Sequence, residues 1–351
     1  MARDLKKLIS EMTLEEKASL LGGKDFWHTK AVDRLGIPAV MVSDGPHGLR
    51  KQNDKADHLG VNESIKAVCF PAGCATAASF DRDLERELGE IIGNECQAED
   101  VAVVLGPAVN IKRSPLCGRN FEYFSEDPYL SGKMSAAVTR GAQSQGIVVT
   151  LKHFVCNEQE TNRQANGLFT WVNEQALREL YLEPFELGVK EGDAHGVMSA
   201  YNRIGATWCG ASRPLLVDLL RDEWGFEGYV VTDAYTNWTG SGYLDPVLAV
   251  YARNDGVLTS FWYFTQEIQT STALRSQYAK DPVGFGQALR DCVYDLCVMK
   301  LYTTALQTMG QDTSLPNADV LLSADDAIDY EPSATDQILV TLSELLASHD
   351  G

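Results

Sequence analysis

Short, nearly continuous apolar segments rich in Val alternate along the chain with longer stretches of helical periodicity. The apolar segments 39–44, 101–110, 146–154, 196–201, 228–233 and, more weakly, 254–260 predict strands. Helical spacing predicts helices over 14–21, 81–99, 127–145, 174–191, 213–223 and 282–307, the first opened by Thr13 with Glu16 three residues on, a capping-box pair. Strands that read as apolar on both faces and alternate with helices belong to a parallel sheet covered by helices. This is an α/β pattern, and both a doubly wound sheet and a (β/α)8 TIM-type barrel, with a complete or irregular strand set, satisfy it.

The polar residues favour the barrel. Predicted strands end at Asp44, Asn110, Lys152 with His153, Tyr201 with Asn202, and Asp233. Polar groups gathered at the C-terminal ends of parallel strands form a barrel mouth. No Walker loop or GxGxxG sequence follows a strand, so nucleotide-binding folds lose their usual mark. No internal repeat interrupts the pattern, and segments 50–66 and 234–245 read as irregular insertions.

Composition narrows the partners. With 44% hydrophobic and 23% charged residues the chain is of ordinary globular type, and no run is long enough to span a bilayer. The start, MARDLKKLISEMTLEEK, reads as an amphipathic helix rather than a secretory leader, so the expected compartment is the cytoplasm. A net charge of −19 argues against nucleic acid or an anionic membrane as partner. The eight cysteines have neither CxxC nor zinc-like spacing, which predicts buried, reduced thiols, and neither a metal nor a cofactor is expected. After Lys300 there is no Lys or Arg, while nine acidic residues fall from Asp312 to Asp350. This divides the chain into a barrel over 1–310 and an acidic tail over 311–351, with TDQILVTLSELLA a possible short docking helix.

Four segments carry chemistry. In SDGPHGLR, Asp44 can accept two hydroxyl hydrogen bonds from a vicinal diol while the turn returns Arg50 to the same side; alone, it is equally a turn carboxylate beside a surface arginine. The loop 110–132 holds Arg113, Arg119, Glu122, Glu126 and Asp127, most of which must pair with one another. Arg119 is the member placed in the site, and Asp127 before Pro128 is a helix N-cap. In TLKHFVCNEQETNR, Lys152 and His153 point to opposite sides of a regular pleat, so the strand must end or bulge for both to serve one site. Arg163 either returns to the mouth or pairs with Glu158 and Glu160. In GVMSAYN, Met198 and Tyr201 supply either an apolar wall with a hydroxyl or plain core packing.

Together SDGPHGLR, NIKRSPLCGRNFEYFSEDPYLSG, KHFVCNEQETNR, MSAYNRIGA and LLRDEWGFEGYVVTD resemble the catalytic barrel of glycoside hydrolase family 3, in particular its bacterial β-glucosidases. The ordered resemblance runs from about residue 5 to 260, and more weakly through 285–307. It implies a retaining β-glycosidase acting on a terminal β-D-glucoside. Asp233 would be the nucleophile, kept ionised by cationic neighbours, and Asp44, Arg50, Arg119, Lys152, His153, Arg163, Met198 and Tyr201 would hold the glycone.

Two departures qualify what is implied. Many relatives follow the nucleophile with Trp, whereas Ala234 and Tyr235 follow Asp233, so an aromatic wall would come from Tyr235, Trp238 or elsewhere. Retaining chemistry also needs a second carboxyl roughly 5 Å from the nucleophile. In most of the family this group lies on an α/β sandwich domain, and nothing after residue 310 is long enough to be one. Nor does VCNEQETNRQAN contain the Asp-Ser-His element of single-domain members. The acid would come from another segment or subunit, or from Glu158, Glu160 or the tail; otherwise the pocket binds sugar without turnover.

Overall fold

A computed structural model of the chain describes residues 5–52, 64–163, 168–234, 244–258 and 263–303. The helices α1 (Leu5–Glu11) and α2 (Leu14–Leu20) lead to strand β1 (Met41–Asp44). Helices α3 (Gly73–Ala77) and α4 (Arg82–Ala98) precede β2 (Val101–Leu105), and α5 (Pro128–Gln143) precedes β3 (Val148–Phe154). A helical rod made of α6 (Glu174–Ala176), the π-helix Leu177–Leu182 and α7 (Glu183–Lys190) connects to β4 (Gly196–Ser199). The two-residue strands β5 (Arg203–Ile204) and β6 (Thr207–Trp208) form a small hairpin, and a second π-helix, Pro214–Glu223, leads to β7 (Tyr229–Thr232). Helices α8 (Pro246–Tyr251), α9 (Tyr263–Lys280) and α10 (Gly284–Leu301) follow.

The five longer strands form one parallel sheet in the order β1-β2-β3-β4-β7. Alternate residues serve two cores, as the two-residue period of a strand requires. Val104, Val149, Leu151, Val197 and Val230 pack outward with Ile92, Phe185, Leu216 and Leu220 of the covering helices. Val103, Val148, Met198, Tyr229 and Val231 pack on the other side with residues of α1, α2 and α10. Both faces are apolar for this reason, and the strands read as continuous runs.

The sheet curls toward closure as an incomplete (β/α) barrel. At the β7 edge, Gly256 forms a parallel bridge to Val231, which is what the predicted strand 254–260 contributes among the described residues; 259 and 260 lie outside them. At the β1 edge the chain runs antiparallel: His28 bridges Met41, Val42 N donates to Trp27 O at 2.7 Å, and Thr29 N donates to Val40 O at 3.0 Å. The two edges meet where Val257 N donates to Leu21 O at 2.8 Å. Segment 21–29 thus occupies the gap that further parallel strands would fill in a full barrel.

The capping box at Thr13 and the Asp127 N-cap followed by Pro128 occur as the sequence predicts. Strand β2 stops at Leu105, short of the predicted 110; beyond it Thr150 N donates to Gly106 O, Lys152 N to Pro107 O and Val109 N to Lys152 O, which bridges Ala108 to Lys152. The predicted helix 213–223 is wound as a π-helix, α9 escaped the periodicity, and the end of the predicted helix 282–307 lies outside the described residues. So do the barrel boundary at 310 and the whole tail 311–351.

A buried ion-pair network ties the last strand to its supports. Arg221 of the second π-helix reaches Asp255 at 2.7 Å and Asp295 of α10 at 3.2 Å, and donates to Gly228 O at 2.9 Å. Arg253 meets Asp295 at 2.5 Å, and Asp255 accepts from Val230 N of β7 at 2.6 Å.

Candidate active site

The C-terminal ends of β1, β3, β4 and β7 open into one cleft of about 670 Å³. Asp44, Arg50, Arg119, Lys152, His153, Met198 and Asp233, seven of the residues singled out in the sequence, line it. Asp44 is the last residue of β1, and Arg50 returns to it by donating its backbone N–H to Asp44 O at 2.9 Å. Its guanidinium stays half-exposed, 3.9 Å from the carboxylate. Lys152 is buried and donates to Asp44 Oδ1 at 2.6 Å.

Lys152 and His153 reach the same cleft because the register of β3 against β4 shifts between Leu151 and Phe154. The sequence demanded a bulge or strand end here, and the shift supplies it. The Asn110 side chain braces the irregular stretch, accepting from His153 N at 2.8 Å and donating to His153 O at 3.0 Å.

Asp233 follows β7 immediately. Its Oδ1 accepts from Ala234 N at 2.8 Å, and its Oδ2 accepts from Arg163 at 3.1 Å and lies 4.0 Å from His153 Nε2. The side chain keeps 13% of its surface exposed to the cleft. Arg163 therefore returns to the mouth and pairs with Glu160 as well, at 2.9 Å. It lies over the Tyr201 ring at 4.9 Å, and the Tyr201 hydroxyl donates to Ala234 O. Arg163 and Tyr201 thus stand behind Asp233 rather than on the cleft wall.

Charge in the site is balanced by contact. Burial alone would raise the Asp44 carboxyl, but Lys152, then Arg119 and Arg50, outweigh it and hold the group below its ordinary value. Burial, followed by Arg119, Lys152 and Arg163, pushes His153 well below 6.5, so its imidazole is neutral at pH 7. Arg119 is clamped by Glu122 and lies 3.7 Å from Glu160. Because Asp44 has its carboxyl lowered, it stabilises the fold above its unfolded value of 3.8, and this contribution is lost as pH falls below that. Asp44→Asn leaves the buried Lys152 ammonium without its counter-charge and should cost about 3 kcal/mol in urea denaturation at pH 7. The gap between wild type and variant should narrow as pH falls below 3.8; a gap that stayed unchanged from pH 7 down to pH 3 would show that the ion pair contributes nothing.

Wall residues at the start of the chain and at Gln52 went unnoticed in the sequence. Phe26, Trp27 and Gln52 line the cleft, with Trp27 Nε1 donating to Gln52 Oε1 at 3.3 Å and the two aromatic rings edge to face at 4.4 Å. Their signal was two adjacent aromatics in an otherwise polar stretch. Tyr235 and Trp238, the aromatics suggested by sequence, lie outside the described residues. Both carboxylates considered as acid are already engaged. Glu160 accepts from Arg163 and from Asn157 at 2.8 Å, while Glu158 is buried behind Asn110. Among the described residues no group of three His, Cys, Asp or Glu side chains is placed to hold a metal ion.

Residues 24–243 match the family model described as the glycosyl hydrolase family 3 N terminal domain. The chain belongs to glycosyl hydrolase family 3. Its relatives within the family include thermostable beta-glucosidase B of Acetivibrio thermocellus, 53% identical over 66% of this chain and 31% of that protein. An exo-alpha-(1->6)-L-arabinopyranosidase of Bifidobacterium longum is 42% identical over 72% of this chain and 35% of that protein. Among solved family 3 structures, beta-glucosidase 3B of Thermotoga neapolitana in complex with glucose superimposes with a TM-score of 0.78 at 33% identity, covering 91% of this chain and 45% of that one. This family 3 chain thus spans between about a third and a half of the length of these relatives.

Proposed function

We propose that this chain is the glycone-binding, nucleophile-bearing barrel of a retaining β-glycosidase that acts on terminal β-D-glucosides. The observation that carries the reading is Asp233, held by Arg163 and the Ala234 N–H at the end of β7 and facing the cleft that Asp44 and Lys152 share. In this reading Asp233 attacks the anomeric carbon to form a glycosyl ester, the glycosidic oxygen leaves, and water later releases the sugar with net retention. Asp44 accepts from two neighbouring sugar hydroxyls while Lys152, Arg119 and the neutral His153 donate to others, contacts that strengthen as the ring flattens toward the oxocarbenium ion. Trp27 and Phe26 offer an apolar wall that sequence reasoning sought after Asp233.

The proton donor belongs in this reading to another segment or subunit, because Glu160 and Glu158 are committed elsewhere. The same observation favours a second reading, a barrel that binds sugar without turnover. An activated aryl β-glucoside, whose leaving group needs little protonation, and an alkyl β-glucoside separate the cases. The nucleophile-bearing barrel should release aryl alcohol slowly, accumulate a covalent adduct with a 2-fluoro glycoside, and leave the alkyl substrate intact. Full turnover of both substrates would place an acid within the chain. Glucose binding without covalent labelling would support the binding barrel. An aryl α-L-arabinopyranoside belongs in the same panel, given the name of the Bifidobacterium relative.

A further inference from the structure

Around the mouth of the barrel the cleft wall runs from Asp44 to Asp233 by two arcs. One follows the sheet from β1 to β7 and carries Lys152, His153 and Met198, with Arg119 from the loop after β2. The other crosses the gap between the sheet's edges, where segment 21–29 lies, and carries Phe26, Trp27 and Leu258, with Gln52 bonded to Trp27. The first arc is rich in hydrogen-bond donors, whereas the second is apolar apart from one amide. That amide has a fixed orientation. An indole N–H can only donate, so the buried Gln52 turns its Oε1 to Trp27 Nε1, 3.3 Å away, and its NH₂ to the opposite side. Trp27 is itself tied down, its N–H donating to Asp25 Oδ1 at 2.9 Å and its carbonyl accepting from Val42 N at 2.7 Å. On its other side the indole borders a second cavity of about 430 Å³, lined in part by Val42, Val231 and Leu296, so these bonds matter for keeping the ring on the cleft wall.

We propose that Trp27 and Gln52 select for the C6 hydroxymethyl group of the sugar, the Gln52 NH₂ donating to its hydroxyl while the indole covers C5 and C6. This rests on the sugar-binding reading above, which sets the anomeric carbon at Asp233 and two neighbouring hydroxyls at Asp44. A pyranose held at those two points turns a different edge to each arc. Its C2–C3 edge carries hydroxyls and matches Lys152, His153 and Arg119. Its C5 edge carries a ring oxygen and a single CH₂OH group, and matches two aromatic rings, a leucine and one amide. The reverse placement would set hydroxyls against apolar rings and C–H groups against the cationic donors, desolvating both without partners. Because the indole locks the amide, its N–H cannot be exchanged for the carbonyl oxygen when the sugar changes. A pentopyranose lacks C6 and offers that N–H no acceptor, and such a deficit is what a site built to bond a hydroxyl rejects.

Calorimetric titrations with glucose, xylose, 6-deoxyglucose and 2-deoxyglucose test this on the wild type, Gln52→Ala and Trp27→Phe. The wild type should bind glucose about tenfold more tightly than 6-deoxyglucose or xylose. Gln52→Ala should erase that preference, weakening glucose by about tenfold and leaving 6-deoxyglucose and xylose nearly unchanged, so that xylose binding also reports a folded cleft. Trp27→Phe keeps an aromatic wall but removes the N–H that fixes the amide, and should lower the glucose preference by about threefold. An equal loss for glucose and 6-deoxyglucose in Gln52→Ala would overturn the proposal. So would a loss that 2-deoxyglucose escaped, since Gln52 would then face the C2 edge. A wild type that bound glucose and 6-deoxyglucose alike would overturn it and leave the glycosidase reading standing, whereas a wild type that bound none of the four sugars would overturn both.

Discussion

Asp233→Ala should abolish formation of the covalent glycosyl adduct and lower release of aryl alcohol from an activated β-glucoside by a factor on the order of 10⁴ or more. Asp233 sits at the end of β7 with one oxygen bonded to the Ala234 amide and the other to Arg163, so in the proposed reading its removal takes away the attacking atom and leaves the wall of the cleft standing. Arg163 keeps Glu160 as partner in the variant, which limits the loss of fold stability. Glucose affinity should therefore change much less than turnover. A small anion such as azide can occupy the vacated space and attack the anomeric carbon once, giving a glycosyl azide of inverted configuration. An Asp233→Ala variant that still formed the 2-fluoro adduct would place the nucleophile elsewhere.

The second large effect is on stability. Arg221→Leu removes the shared cation from Asp255 and Asp295, both buried, and frees the Gly228 carbonyl. Arg253 still meets Asp295, but Asp255 is left to the Val230 amide and the remaining field. Breaking a buried pair from one side strands the other charge, so urea denaturation should give a loss of about 3–5 kcal/mol. Arg221→Lys keeps the charge but cannot span Asp255, Asp295 and Gly228 O together, and should fall between the two. A loss under about 1 kcal/mol for Arg221→Leu would mean that the network is relieved of its charge by another route. Because Asp255 is bonded to the strand that ends in Asp233, the Leu variant should also lose glucose affinity before it loses its helices.

The parallel sheet and the convergence of strand ends were legible because burial on both faces writes itself as unbroken apolar, Val-rich runs, and because polar residues stand out against such runs. Asp44, Lys152 and Asp233 were found that way. Segment 21–29 was not: it has too few residues to show a period, and it is held by backbone bonds at Val42, Val40 and Val257 that no side-chain pattern encodes. Phe26 and Trp27 were lost with it. Glu158 stands in the polar run NEQETNR, where the sequence offers it as a partner of Arg163 or as the acid, and only the fold reveals that the turn drives it beneath Asn110. The winding of Leu177–Leu182 and Pro214–Glu223 as π-helices has no signature in their apolar spacing that distinguishes it from an α-helix.

The lower end of the sheet bears on how a proton donor could arrive. Leu301 at the end of α10 shares a groove with Leu5, Ile37 and Pro38, and Lys300 donates to Pro38 O at 2.7 Å, just before β1 begins. That is the base of the strands, whereas the cleft opens at their far ends. A segment joined after Thr303 would have to climb the height of the sheet, about 20 Å along a strand such as β3, before it could present a group to Asp233. That climb takes at least six or seven fully extended residues. The fold thereby sets a minimum leash for any domain tethered there, and a shorter leash would keep its side chains from Asp233 however well it was folded.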